Sequence, residues 1–188
     1  MPPDPGAPKT RIAGTTRSRS DLPELQVLAP ERAGRTTREQ PTLWFWLSAP
    51  TDERIDVTVN DPDAVQPVLE TTLAGPFDAG FHPVDLAAHG VWLEEGKDYH
   101  WFVAIVPEPD RRSGDVVAGG VVRRVSPRGE VADALANAEA GRIAHAYAQA
   151  GVWYDAVDEV SAAAAAGDAG AAAARDALAR GEGLELAP

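Results

Sequence analysis

The chain has 188 residues and a formal charge of −12, enough length for one ordinary domain or a small domain with an appended module. The acidic excess lacks the basic stripe that phosphate binding requires and excludes a general nucleic-acid binder. With no cysteine, disulfides, thiolate metal sites and cysteine nucleophiles are excluded as well.

Charge and composition divide the chain into three parts. Residues 1–40 hold seven basic and five acidic residues; residues 41–127 hold six and fourteen; residues 128–188 hold four and ten. The first part is rich in Pro, Gly, Ser, Thr and Arg, buries little, and is expected to be largely irregular. Its one apolar stretch, "DLPELQVLAP", offers Leu25, Val27 and Leu28 for an edge strand. No apolar run approaches the roughly 18 residues needed to cross a bilayer, which predicts no membrane insertion, and the first residues show no signal-peptide apolar core.

From Pro41 the texture becomes short apolar runs bounded by turn residues. Strands are predicted at "TLWFWLS", "RIDVTVN", "PVLETTLA", "GFHPVDL", "DYHWFVAIV" and "VVAGGVVRRV". Their even spacing suggests an antiparallel β-sandwich over residues 41–127. In "RIDVTVN", Ile55, Val57 and Val59 alternate with polar residues, as in a strand buried on one side. Two strands are apolar on both faces. One sets Trp44 and Trp46 against Leu43, Phe45 and Leu47; the other sets Tyr99, Trp101, Val103 and Ile105 against Phe102, Ala104 and Val106. Such strands need cover on both sides. The covering piece is predicted to be residues 128–188, an Ala-rich stretch of high helix propensity expected to form about four short helices, with a tail, "EGLELA", that frays.

The dense cluster Asp98-Tyr99-His100 invites a catalytic reading. Strand alternation argues against it, because His100 points away from Tyr99 and Trp101. Leu93, Gly96, Tyr99 and Trp101 resemble instead the tyrosine corner of fibronectin-type and immunoglobulin-like sandwiches, in which the Tyr hydroxyl returns to the backbone a few residues upstream.

Other polar groupings each carry a plain and a functional reading. Arg111, Arg112, Ser113 and Asp115 share one loop, where two guanidiniums and a hydroxyl could hold an anion or carboxylate, or where Asp–Arg pairs simply tie a hairpin. Asn60, Asp61 and Asp63 are oxygen ligands of the kind Ca²⁺ takes, but without a loop-closing carboxylate they read as a turn. His82, His89, His100 and His145 show no paired-ligand spacing, and neither a nucleophile elbow nor a P-loop or Rossmann glycine pattern is present. A triad of Ser113, His100 and Asp115 would have to be assembled by the fold. No metal or cofactor is predicted.

"AYAQAGVWYDAVDEVSAAAAAGD" resembles a tetratricopeptide repeat, a helical hairpin used in protein–protein contact. Tyr147, Ala156, Val160 and Ala163 fall at that repeat's core spacings and Gly151 in its turn; Ala140 and Asp168 replace its usual Trp and Pro. A single repeat cannot close its own core, so this one is expected to dock on the sandwich or a partner. On such a hairpin His145 and Gln149 would lie on the peptide-facing side, a face that is otherwise solvated or turned to the sheet.

The whole chain resembles a mostly cyanobacterial family of unknown function catalogued as DUF928. The resemblance rests on "GAPKTRIAGTTRS", "PERAGRTTREQPTLWFWLSAP", "LEEGKDYHWFVAIVPEPDRRSGDVVAGGVVRRV" and "YAQAGVWYDAVDEV". It implies an extracytoplasmic, periplasmic setting, since members commonly carry an export signal, and it brings no activity, cofactor or catalytic residue. The expectation is therefore an α+β protein, an Ig- or fibronectin-like sandwich with a tetratricopeptide-like hairpin packed on it. It would act as a non-enzymatic protein-interaction or assembly module of the bacterial envelope, with a protein partner and an open oligomeric state. The alternative is a small-ligand or glycan binder using Trp92 or the Arg111–Arg112 loop.

Overall fold

The computed structural model describes residues 11–12, 22–139 and 142–186. The strands are β1 (Leu25–Val27), β2 (Gly34–Thr36), β3 (Thr42–Leu47), β4 (Arg54–Asn60), β5 (Leu69–Leu73), β6 (Gly80–Asp85), β7 (Asp98–Val106) and β8 (Val116–Arg124). Four helices follow: α1 (Glu130–Ala136), α2 (Ile143–Gln149), α3 (Trp153–Ala165) and α4 (Ala169–Gly181). The architecture is α+β, with two mostly antiparallel sheets ordered β1-β3-β6 and β2-β8-β7-β4-β5.

All six strands expected from Pro41 onward form, and β1 forms where Leu25 and Val27 alternate. Leu43, Phe45 and Leu47 of the smaller sheet share one core with Ile55, Val57, Val59, Trp101, Val103 and Ile105 of the larger, all of them fully excluded from solvent. Pairing places Val57 opposite Val103 and Val59 opposite Trp101, so the inward residues meet side by side on the same face.

The doubly apolar strand β3 is covered as its sequence requires. Trp44 and Trp46 form a second cluster with Leu28 and Val157, flanked by Phe81, Trp153, Leu178 and Leu186. Helices α3 and α4 thus close the outer face of the smaller sheet, and the Arg175 guanidinium lies 3.3 Å above the centre of the Phe81 ring. The most extensive helix–sheet contacts are those of α3 with β2 and β3, and the outward face of β7 is covered differently. Phe102 lies against Gly119, where a Cβ would come within 2.5 Å of its ring. Ala104 and Val106 stand in register beside Asp56 and Arg54, which form an ion pair over this face at 3.1 Å.

Residues 22–40 are more structured than their composition suggests. Strand β2 pairs in parallel with β8, matching Gly34 to Val122 and Thr36 to Arg124, the one parallel pairing among the described strands. Three residues of Gly, Arg and Thr carry no periodic apolar signal, and the strand owes its place to the partner edge. Leu28, Ala29 and Thr36 are fully buried. Farther upstream, Ile12 exchanges two backbone hydrogen bonds with Gly119, at 2.9 and 3.0 Å. The tail also departs from expectation: Leu184 is buried, its amide donates to the Ala179 carbonyl, and Gln26 donates to the Glu185 carbonyl at 2.7 Å. An alternating Leu-Glu-Leu segment frays only if nothing receives its leucines; here Leu184 is buried and Leu186 packs against the second apolar cluster.

Candidate functional site

The helices are fixed to the sheets through the first turns of α3. Tyr154 is buried and joins the main core. Its hydroxyl accepts from the Trp101 indole N–H at 2.9 Å and donates to the Val121 carbonyl at 3.1 Å. Burial pushes the Tyr154 hydroxyl well above its ordinary pKa. Two glycines leave the space it needs: a Cβ at Gly34 would come within 2.5 Å of the Tyr154 ring, and one at Gly120 would crowd Ala29, Trp101 and the Tyr154 hydroxyl.

Asp155, also buried, receives the Thr36 hydroxyl on one oxygen. Its other oxygen receives the Thr37 amide at 2.9 Å and the Thr37 hydroxyl. One helical turn on, Asp158 pairs with the Arg38 guanidinium and accepts the Trp44 indole N–H at 2.8 Å. Glu159 takes the other end of Arg38 at 2.6 Å. Burial opposes the charge on Arg38, but Asp158 and Asp155 outweigh it and raise its pKa. The sequence Thr36-Thr37-Arg38 is thus bound by Asp155, Asp158 and Glu159. Carboxylates in the first turns of a helix also sit favourably with its dipole.

This attachment builds a cleft of about 510 Å³ between the segment 30–35 and helices α2 and α4. Its walls are mostly small and apolar, including Pro30, Ala33, Ala148, Trp153, Ala177 and Leu178. Trp153 is held by its indole N–H, which donates to the Leu28 carbonyl at 3.0 Å. Four charged residues also line the cleft, Arg32 and Arg35 with Glu31 and Glu182. The Glu31 amide donates to the Glu182 carboxylate at 3.3 Å, and Arg11 donates to the carbonyls of Ala29 and Glu182. Arg35, at the exposed centre of β2, makes no hydrogen bond or ion pair with any described residue.

The residues singled out from sequence lie elsewhere or at the edge of this cleft. Arg111, Arg112 and Ser113 are exposed around a single 3-10 turn. Arg112 is committed internally, to Asp115 at 2.6 Å and to Asp56 at 2.8 Å, and those bonds raise its pKa. The loop is a tied hairpin connection. His100 is exposed and pairs with Val121, while the loop leaves the ladder at Ile105 and Val116. That is five residues along the strand, about 17 Å, so Ser113, His100 and Asp115 form no triad.

Tyr99 accepts the Glu94 amide on its hydroxyl at 3.1 Å, and Gly96 makes the turn with φ +86°. Its amide reaches the Arg124 carbonyl at 2.9 Å. Leu93 and Trp101 are buried, and Trp92 beside them is 62% exposed. Asp98 is bound to Arg123 through both oxygens at 2.6 Å. At the turn after β4, Asp61 and Glu94 converge on Lys97 at 3.2 and 3.1 Å. The hydrogen bonds that the Lys97 ammonium donates to Glu94 and Asp61 raise its pKa, so the oxygen-rich turn is occupied by the protein's own cation. Among the described residues no group of three or more His, Asp or Glu is arranged to hold a metal ion, and no helix is long and apolar enough to cross a membrane.

His145 and Gln149 are exposed on α2, a helix of seven residues that buries no side chain fully. Neither lines the cleft, to which α2 contributes Ala148. Sequence reading missed Arg35, Trp153 and Leu178 as neighbours, because three distant segments bring them together. Only the anchor beside the cleft left a trace, in "TTRE" and "YDAVDE", where the hydroxyls and the one guanidinium of the first can meet the three carboxylates of the second.

A family model described as Domain of Unknown Function (DUF928) matches residues 9–186. No curated protein matches the chain.

Proposed function

The chain belongs to the DUF928 family, a domain of unknown function, and on that premise we propose that it is a non-enzymatic protein-interaction module. The cleft between segment 30–35 and helices α2 and α4 carries this reading. It has the size of a binding site, it is walled by apolar and small side chains, and it is held open by a buried anchor rather than by mobile loops. The candidate reacting groups support it too, because Arg112, Asp115 and Asp98 are consumed in structural pairs. Helices α2 and α3, joined at Gly151, are the pair that resembles a tetratricopeptide hairpin, and His145 and Gln149 lie on its exposed side. The envelope setting rests on the export signals of the family resemblance.

Affinity capture from envelope and cytosolic extracts, followed by saturable binding of the purified partner, tests the proposal. Ala177→Trp, which fills the cleft from an exposed position, and His145→Ala/Gln149→Ala run beside the wild type. One partner bound by the wild type and lost in either variant supports the module. A wild-type protein that retains nothing specific overturns it. The exposure of Trp92 favours a second reading, a glycan or small-ligand surface. A tryptophan fluorescence change on titration with oligosaccharides, lost in Trp92→Ala, would support that reading instead.

A further inference from the structure

The cleft has a charge pattern unlike the rest of the chain. The chain as a whole carries −12, yet the lining balances Arg32 and Arg35 against Glu31 and Glu182. The anions are partly used up: Glu182 accepts the Glu31 amide. A further cation, Arg11, stands behind the same residue on its carbonyl. Arg35 is exposed and has no partner among the described residues. Arg38 and Arg112, by contrast, are each paired with two carboxylates. An unpaired, forked donor beside an apolar wall matches a ligand that brings its own carboxylate next to an apolar side chain.

Resting on the protein-interaction reading, we propose that this cleft receives a peptide segment of a partner protein, with an apolar side chain against Trp153 and Leu178 and a carboxylate on Arg35. The shape agrees. Ala33, Ala148 and Ala177 keep the walls low, Gly151 leaves its backbone uncovered, and Trp153 supplies a flat face held in place by its bond to Leu28. The carboxylate can be an Asp or Glu side chain or the partner's chain terminus, since both present the same two oxygens to the guanidinium.

The test is a bead library of randomised hexapeptides, screened with free and with amidated C-termini against the full-length protein, with decanoate as a free-acid probe. Peptides with an acid beside a large apolar residue are expected to be enriched. Enrichment confined to free C-termini would assign the carboxylate to a chain end, and enrichment in both sets would assign it to a side chain. Their affinity should fall by about tenfold or more in Arg35→Gln, the loss of one charge-assisted contact. It should be abolished in Ala177→Trp, with the unfolding midpoint of both variants unchanged. Peptide binders that lack an acid, or that are indifferent to Arg35→Gln, overturn the carboxylate assignment while leaving the module intact. No peptide binder at all removes the cleft as the docking site, and the module then stands or falls by the capture experiment. Decanoate binding that depends on Arg35, without any peptide binding, replaces the peptide by a free apolar acid.

Discussion

Asp155 and Thr36 lie 119 residues apart in sequence and are joined by a buried hydrogen bond. With the two bonds from Thr37, it makes the start of α3 a fixed part of the larger sheet's edge. Removing the carboxylate leaves the Thr36 hydroxyl and the Thr37 amide without their acceptor. Asp155→Ala should therefore cost about 3 kcal/mol, read as a lower urea midpoint. Thr36→Val, which removes donor and leaves a carboxylate oxygen still near Thr37, should cost less. Equal midpoints for wild type and Asp155→Ala would show that the anchor contributes nothing.

Tyr154 makes stability depend on alkaline pH. Its folded pKa is raised by burial, so its contribution is complete below the unfolded value of about 10 and is lost as pH rises beyond it. Above that value the unfolded chain releases a proton that the folded chain keeps. Tyr154→Phe should remove this part of the alkaline loss while lowering stability near neutrality by about 1–3 kcal/mol, because the Trp101 N–H and Val121 carbonyl lose their partner. Denaturant titrations between neutral pH and about pH 11 separate the two effects.

Gly34 faces the same ring. Gly34→Ala puts a methyl group where the Tyr154 ring already lies, at 2.5 Å, and should cost about 1–3 kcal/mol through displaced packing. In the double variant with Tyr154→Ala the penalty of the added methyl should largely disappear, a coupling that a double-mutant cycle reads directly.

Asp56 sets an acid limit. Its burial alone would raise its pKa, but hydrogen bonds from Thr72 and Arg112 and the charges of Arg54 and Arg112 hold the carboxyl below its ordinary value. A lowered folded pKa gives stability that is present above the unfolded value of about 3.9 and lost as pH falls through the folded one. Arg112→Ala should cost no more than about 1 kcal/mol near neutrality, as for an exposed pair, and should make the loss between about pH 5 and pH 2 shallower. An unchanged acid limb would show that Thr72 and Arg54 alone govern Asp56.

Periodicity made the sheets legible, because alternation in β4 and the double apolar faces of β3 are properties of consecutive residues. Trp44 and Trp46 even announced that a covering layer was needed, and α3 and α4 supply it. The same reasoning failed at the outward face of β7, where a glycine and an ion pair do the covering, and at β2, whose three residues have no pattern of their own. The cleft was hidden for a related reason. Its walls come from segments 30–35, 148–153 and 177–182, and small residues such as Ala148 and Gly151 carry no chemical signal until the fold makes them neighbours.

The bond between Thr36 and Asp155 also orders events during synthesis. A ribosome delivers the segment 34–38 early and its acceptors on α3 more than a hundred residues later. Until then the Thr36 hydroxyl, the Arg38 charge and the slot above Gly34 have nothing to close them. Non-local closures of this kind slow folding and leave the nascent sheets with an exposed edge. A premature stop between Val125 and Trp153 would release a chain that keeps the eight described strands yet lacks the tyrosine that fills its core, a natural substrate for quality-control proteases.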